Sequence, residues 1–418
     1  MSSTPVPGAT PGPARAGVIF VLVTIALDML ALGIIIPVFP KLIESFVGGN
    51  TAHAASLLGL FSAAWALMQL IFAPIQGALS DRFGRRPVIL LSNLGLGLDY
   101  ILMALAPNLA WLFVGRLISG ITAASFSTAT AYIADVTAPE KRAQAFGWIG
   151  AAFGIGFILG PAIGGLLGSA DPRLPFWVAA GFSLANSAYG YFILPESLPK
   201  DRRAPFRLVA ANPIGSIRFL ARSRRLMLLA GVGFLHNLAH AVLPAIYVLY
   251  AGHRYGWGER EVGLGLAAVG VCSAAVQGGL IKPIVSRLGE QSTLLLGLAF
   301  GTFAFLIYGL APNGTVFLMG IPVMAIWGVT NPALQGLMTR LVEPTEQGQL
   351  QGAGQSLMAI ANLAGPVIFT QIFALGIANS AGVQVPGAAY FLAAVLLAAA
   401  GLLAHAVFRN GGDLEPPE

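Results

Sequence analysis

Twelve separate stretches of mostly apolar residues run through this sequence, near 17–38, 54–79, 87–106, 110–134, 144–168, 174–194, 226–250, 262–285, 292–311, 315–338, 348–375 and 386–408. Each is about the 20 residues a helix needs to cross the hydrocarbon of a bilayer. A backbone in hydrocarbon must satisfy its own polar groups, which leaves helices as the economical solution for segments of this length. The expected fold is therefore an all-α membrane protein of twelve transmembrane helices, numbered here as spans 1–12. Composition agrees: 56% of the 418 residues are hydrophobic and 10% charged, against about 25% charged in soluble domains. Lipid, not water, is the solvent for most of the chain. The single cysteine, Cys272, rules out an internal disulfide. Residues 1–15, "MSSTPVPGATPGPAR", are Pro/Gly/Ser-rich and read as a disordered tail. The apolar run after them is too long for a signal-peptide core and is expected to stay as span 1.

With the N-terminus in the cytoplasm, 18 of the 23 Lys and Arg fall inside, four outside, and Arg116 within a span. That asymmetry predicts both termini in the cytoplasm. It also disposes of a nucleic-acid partner for a chain of net charge +6, because the basic residues serve topology. The basic stretch 195–225 is the expected cytoplasmic linker between a six-helix bundle at 16–194 and another at 226–408, with a tail at 409–418.

The halves repeat at a constant offset of 205 residues. "LAPN" at 105–108 matches 310–313, Arg82 and Gly84 match Arg287 and Gly289, Pro139 matches Pro344, and Gly160–Pro161 match Gly365–Pro366. Two six-span repeats of the same orientation predict two bundles facing each other about an axis normal to the membrane, the plan of a rocking transporter.

Between spans 2 and 3 lies "GALSDRFGRRP" (77–87), carrying Gly77, Asp81, Arg82, Gly84, Arg85 and Arg86. It is either a tight, positive-inside turn or a latch, in which Asp81 pairs with nearby arginines or meets a helix N-terminus of the other half. The second copy, "KPIVSRLGEQS" (282–292), has Ser286 for the aspartate and reads as having lost the charge device. Span 5 holds Gly147, Gly150, Gly154, Gly156, Gly160, Gly164 and Gly165, which admit a close helix neighbour, and Pro161, which permits a bend.

Few ionisable residues fall within spans: Asp28, Asp99, Arg116, His236 and His240. At about 1.5 Å per residue, Asp99 and Arg116 lie roughly 10–12 Å below the outer surface and Asp28 about 15 Å. Similar depth suggests one polar cluster with a surplus acid, able to hold a proton until cationic cargo or the arginine displaces it. A static Asp99–Arg116 pair that orders the bundle is the plainer alternative. His236 and His240, at i and i+4, share a face; two ligands without an acid make a poor metal site, so no metal is expected. They either make structural hydrogen bonds or carry protons. Gln69, Asn331, Gln335, Gln355 and Asn362 are neutral candidates for lining a cavity or bridging helices.

"GALSDRFGRRP" resembles the loop 2–3 signature of the major facilitator superfamily. "LGIIIPVFP" (32–40) and "GWIGAAFGIGFILGPAIGG" (147–165) resemble the span 1 and span 5 motifs of its twelve-span drug:proton antiporters. "LDYILMA", "GRLISGITAA", "YIADVTAPEKRAQAFGW" and "FILPESLP" are similar, in that order, to the bacterial tetracycline efflux pumps. The resemblance implies the major facilitator fold, a bacterial inner-membrane location and proton-coupled export of a drug-like amphipathic molecule such as tetracycline. It implies functional roles for Asp28, Asp99 and Arg116, and a span 5 contact that seals a path between the halves. It implies no cofactor, with the proton gradient as energy source and cargo arriving as a magnesium chelate, and a monomer whose partners are small molecule, protons and lipid. The chain departs from those pumps in lacking their span 8 histidine and span 9 acid: "LLGLAFGTFAFL" (295–306) puts Gly301 at the acid's place. Either Asp28 and Asp99 carry coupling alone, or His236 and His240 have taken it over, or substrate and stoichiometry differ. A sugar or organic-acid facilitator would need neither surplus acid nor span 5 glycines, and a non-transporting receptor or scaffold stays open. Enzyme chemistry has no constellation to support it.

Overall fold

Apolar runs that must close their own backbone bonds become helices, and in the computed structural model all twelve expected spans are helical. The structure describes residues 13–122, 125–137, 141–203, 219–343, 346–378 and 384–409. Most of the expected N-terminal tail, the heart of the basic linker (204–218), the tail from 410, and the matched Pro139 and Pro344 lie outside the described residues. The first helix starts at Pro13, where the fixed φ of proline suits the first turn.

Among the described residues nine helices are long and apolar enough to cross a membrane. The difference from twelve has local causes. Span 4 is described as Leu109–Thr122 and Ser125–Val136, with 123–124 outside the description. Span 6, Leu174–Ile193, has its apolar run diluted by Ser183, Asn186, Ser187 and two tyrosines. Spans 8 and 9 run on as Glu259–Leu310, interrupted by a π-helical turn at Val276–Leu280 and by Gly289 with φ 72°.

Spans 7 and 10 are each broken in the middle. Span 7 is Arg224–His240 followed by Val242–Tyr255, and span 10 is Gly314–Ile326, a 3-10 turn at Trp327–Val329, and Thr330–Thr339. Each break sits four residues before a proline. Pro244 has no N–H for the carbonyl of His240, and Pro332 none for that of Gly328.

The 205-residue repeat reappears in the backbone. Gly84 and Gly289 both take positive φ, 105° and 72°, and separate spans 2 and 3, then 8 and 9. Ala106 and Ala311 end their helices with nearly the same dihedrals, φ −54° and ψ 120° against φ −51° and ψ 119°. Asn108 Oδ1 accepts from Trp111 N–H at 3.3 Å and Asn313 Oδ1 from Val316 N–H at 3.0 Å, so both "LAPN" segments cap the next helix. Helix pairings repeat too: span 6 packs on spans 1 and 3, and span 12 on spans 7 and 9.

Contacts divide the chain into two units. The first comprises 1–35, 68–160 and 173–210, and its core includes Phe20, Ile25, Ile89, Tyr132, Ile149 and Leu194. The second comprises 36–67, 161–172 and 211–418. Its core is aromatic, with Tyr250, Tyr308, Phe317 and Tyr390 buried in ring contact.

Candidate functional site

In the first unit, a charged group in lipid needs a partner. The Asp28 carboxylate on span 1 accepts from Asn186 Nδ2 of span 6 at 3.2 Å. Asn186 is fully buried and fixed in turn: its Oδ1 accepts from Thr24 Oγ1 at 3.0 Å and its Nδ2 donates to the Thr24 carbonyl at 3.3 Å. Asp99 is 1% exposed, with Arg116 and the Ser119 hydroxyl of span 4 as the charge and dipole facing it. Gly115 makes room for it, because a Cβ there would lie 3.0 Å from Asp99 Oδ1. Tyr100, buried on span 3, lies within Coulombic reach of Asp28, Asp99 and Arg116 together. The three charges expected to cluster all act on the Tyr100 phenol. Two acids and one arginine can hold a proton, or a cation in its place.

Neither Asn186 nor Tyr100 stands out in the sequence as Asp28 does, since a neutral polar side chain in a span is common. The signal for Asn186 was its place amid the apolar run of span 6.

At the loop between spans 2 and 3, Arg85 carries the device. Its guanidinium meets Asp81 at 2.6 Å and Asp135 of span 4 at 3.1 Å, and donates to Ser80 Oγ at 2.6 Å. Asp81 therefore pairs within its own motif. Arg86 donates to the Tyr191 carbonyl at 2.5 Å, Arg82 lies 5.1 Å over the Phe83 ring, and Ser80 Oγ donates to the Gly77 carbonyl at 2.8 Å, with open space where a Cβ at Gly77 would stand. Glu196, after span 6, accepts from Arg85 N–H at 2.9 Å and from Leu198 N–H at 3.1 Å, and meets Arg203 at 3.8 Å. It occupies the space a side chain at Gly84 would need.

In the second half Ser286 stands in the aspartate's place, and a different ion pair is present. Glu290 and Arg340, 205 residues beyond Arg85 and Asp135, pair at 2.9 Å. The aspartate of the motif is gone, but the pair across the helices survives with its polarity reversed.

The span 5 glycines serve two contacts. In the first unit, Gly156 lies against Met29 and Leu30 and Gly160 against the backbone of Gly33, so spans 1 and 5 touch closely. In the second unit, the carbonyl of Pro161 and Gly165 Cα abut Gly263 of span 8. A Cβ at Gly59 of span 2 would likewise lie 3.3 Å from the carbonyl of Pro366 in span 11, the repeat mate of Pro161. Gly164 is buried, whereas Gly147, Gly150 and Gly154 have open space where a Cβ would stand.

In the second unit, His236 and His240 flank Trp327, with ring centroids 4.8 and 5.5 Å from the indole. The indole lies on Gly301, where a Cβ would stand 2.7 Å from the ring, so the place of an acid in span 9 is filled by tryptophan. Of the neutral candidates, Gln335 accepts from Gln351 at 3.3 Å, Gln69 is half-buried, and Asn331, Gln355 and Asn362 are exposed. Among the described residues no group of three or more His, Cys, Asp or Glu is placed to hold a metal ion.

The sequence profile of the Major Facilitator Superfamily matches residues 21–366. The class C tetracycline resistance protein of Escherichia coli is 38% identical over 375 residues, 90% of this chain and 94% of its own. The class G protein of Vibrio anguillarum is 38% identical over 364 residues, 86% of this chain and 91% of its own. Among solved structures, the human organic anion transporter MFSD10 (TETRAN) aligns with a TM-score of 0.67 and 26% identity, over 94% of this chain and 100% of that one. The chain belongs to the Major Facilitator Superfamily, a family of multi-pass membrane transporters and not of enzymes, and it stands among relatives of the tetracycline resistance proteins.

Proposed function

We propose that the protein exports a drug-like amphipathic molecule, tetracycline being the first candidate, in exchange for protons. The observation that carries this reading is the surplus acid: Asp28, Asp99 and Arg116 around Tyr100, with Asn186 holding Asp28. One acid balances Arg116, and the other takes a proton from the outer side and yields it to the inner side when cargo arrives. Relatives named for tetracycline resistance support the cargo. No resident cofactor takes part; magnesium travels as part of a chelated cargo, and the proton gradient supplies the energy. The site belongs to a monomer in a bacterial inner membrane, with both termini in the cytoplasm and the linker joining two six-helix bundles that rock about it. The Arg85 and Glu290 pairs are contacts of one state of that cycle.

In everted vesicles with an acid interior, tetracycline with magnesium should release protons, followed by a pH-sensitive dye. Silence with tetracycline and with a panel of cationic and neutral drugs would overturn the reading. A second reading, organic-acid transport, is favoured by Arg116 within span 4 and by the likeness to an organic anion transporter. Proton movement driven by carboxylates alone would select it.

A further inference from the structure

Two helices of the second unit lose their regular ladder where they touch. Span 8 widens into a π-helical turn at Val276–Leu280, and span 10 tightens into the 3-10 turn at Trp327–Val329. The two turns pack on each other, with Val276, Ala325 and Val329 buried in one cluster. An α-helix resists bending through its i→i−4 bonds, and π and 3-10 turns are where that ladder gives way. Glycines leave both turns room to deform: a Cβ at Gly278, Gly279 or Gly328 would meet nothing within 4 Å. Pro332 withholds the N–H that would brace the Gly328 carbonyl. On either side of the turns the helices are tied to each other. On one side Glu259–Ala275 packs on Gly314–Ile326. On the other, Glu290, just past the positive-φ Gly289, pairs with Arg340 at 2.9 Å and lies against Gly336 of span 10.

We propose that the two turns form one joint, at which the inner ends of spans 8 and 10 bend together while their outer ends stay fixed. The inner half of span 10, Thr330–Thr339, is about 15 Å long, so a bend of about 20° moves its tip by about 5 Å. The Glu290–Arg340 pair travels with it. The inner side thus opens and closes within one bundle, in addition to any rocking of the bundle as a whole. The inference concerns how the chain moves and not what it carries, so it stands apart from the proposed cargo.

The test is a spin-label distance on the full-length protein in lipid nanodiscs, from Ser286→Cys to Arg409→Cys in a Cys272→Ser background. Both labels belong to the second unit, so rigid rocking leaves their separation unchanged and bending at the joint does not. Lowering the pH from about 8 to about 5, or adding tetracycline with magnesium, should shift it by at least about 3 Å. Deleting Gly278 removes the one extra residue that makes a π-turn and keeps the register of both flanks. It should abolish the shift without lowering the melting temperature. Gly328→Ala with Pro332→Ala, which restores the ladder of span 10, should at least halve the shift, and it carries the test should the deletion fail to accumulate. No shift with the turns unaltered, or a full shift in the straightened variants, would overturn the joint. A shift with acid and none with tetracycline would leave the joint standing and sink tetracycline as cargo.

Discussion

Asp28 and Asp99 differ in what surrounds them, and that difference assigns their parts. Asp99 is 1% exposed and faces a guanidinium, so it is the acid that Arg116 balances. Asp28 is less buried and accepts a hydrogen bond from the Asn186 amide, and we assign it the proton that cargo displaces. Asp28→Asn should therefore abolish proton-coupled transport, at least a hundredfold, while leaving the melting temperature in detergent within a few degrees. Arg116→Leu should instead destabilise by about 3–5 kcal/mol, because it strands a buried carboxylate. Adding Asp99→Asn to it should restore most of that loss, as read by thermal unfolding. The charges were legible in the sequence because an ionisable group in hydrocarbon is too costly to be incidental. Asn186 was not, since amides in spans usually only bridge helices and nothing local separates one that orients a carboxylate.

At the scale of elements, the repeat was legible wherever it rests on backbone requirements. Gly84 needs a φ of 105°, and a Cβ there would collide with the Glu196 carboxylate. Gly84→Ala should lower transport and stability together, where Gly77→Ala, whose Cβ would meet open space, should be silent. The paired caps make an internal control: Asn108→Ala and Asn313→Ala should each cost about 1 kcal/mol. The reversed Glu290–Arg340 pair was hidden because residue-by-residue matching looks for like charges, while an ion pair is indifferent to which helix holds which sign. Both pairs are partly exposed and worth little to stability, about 0–1 kcal/mol. Glu290→Gln should therefore change transport rate and not melting temperature. The breaks in spans 7 and 10 had a signal that apolar length concealed, namely Pro244 and Pro332 four residues downstream.

Across the whole molecule, membrane orientation follows from where Lys and Arg fall. In a Cys272→Ser background, Ser286→Cys should react with an impermeant maleimide only in everted vesicles. Ser169→Cys, between spans 5 and 6, should react only in intact cells; the reverse pattern would invert the topology. The central claim is that cargo and proton compete for the carboxylates around Tyr100. Its most direct test is flux in proteoliposomes started with no pH difference, where a tetracycline–magnesium gradient is the sole driving force. Cargo moving down that gradient should drive protons the opposite way, and Asp28→Asn should carry none. Cargo flux without proton movement, or proton movement that survives Asp28→Asn, would contradict the claim.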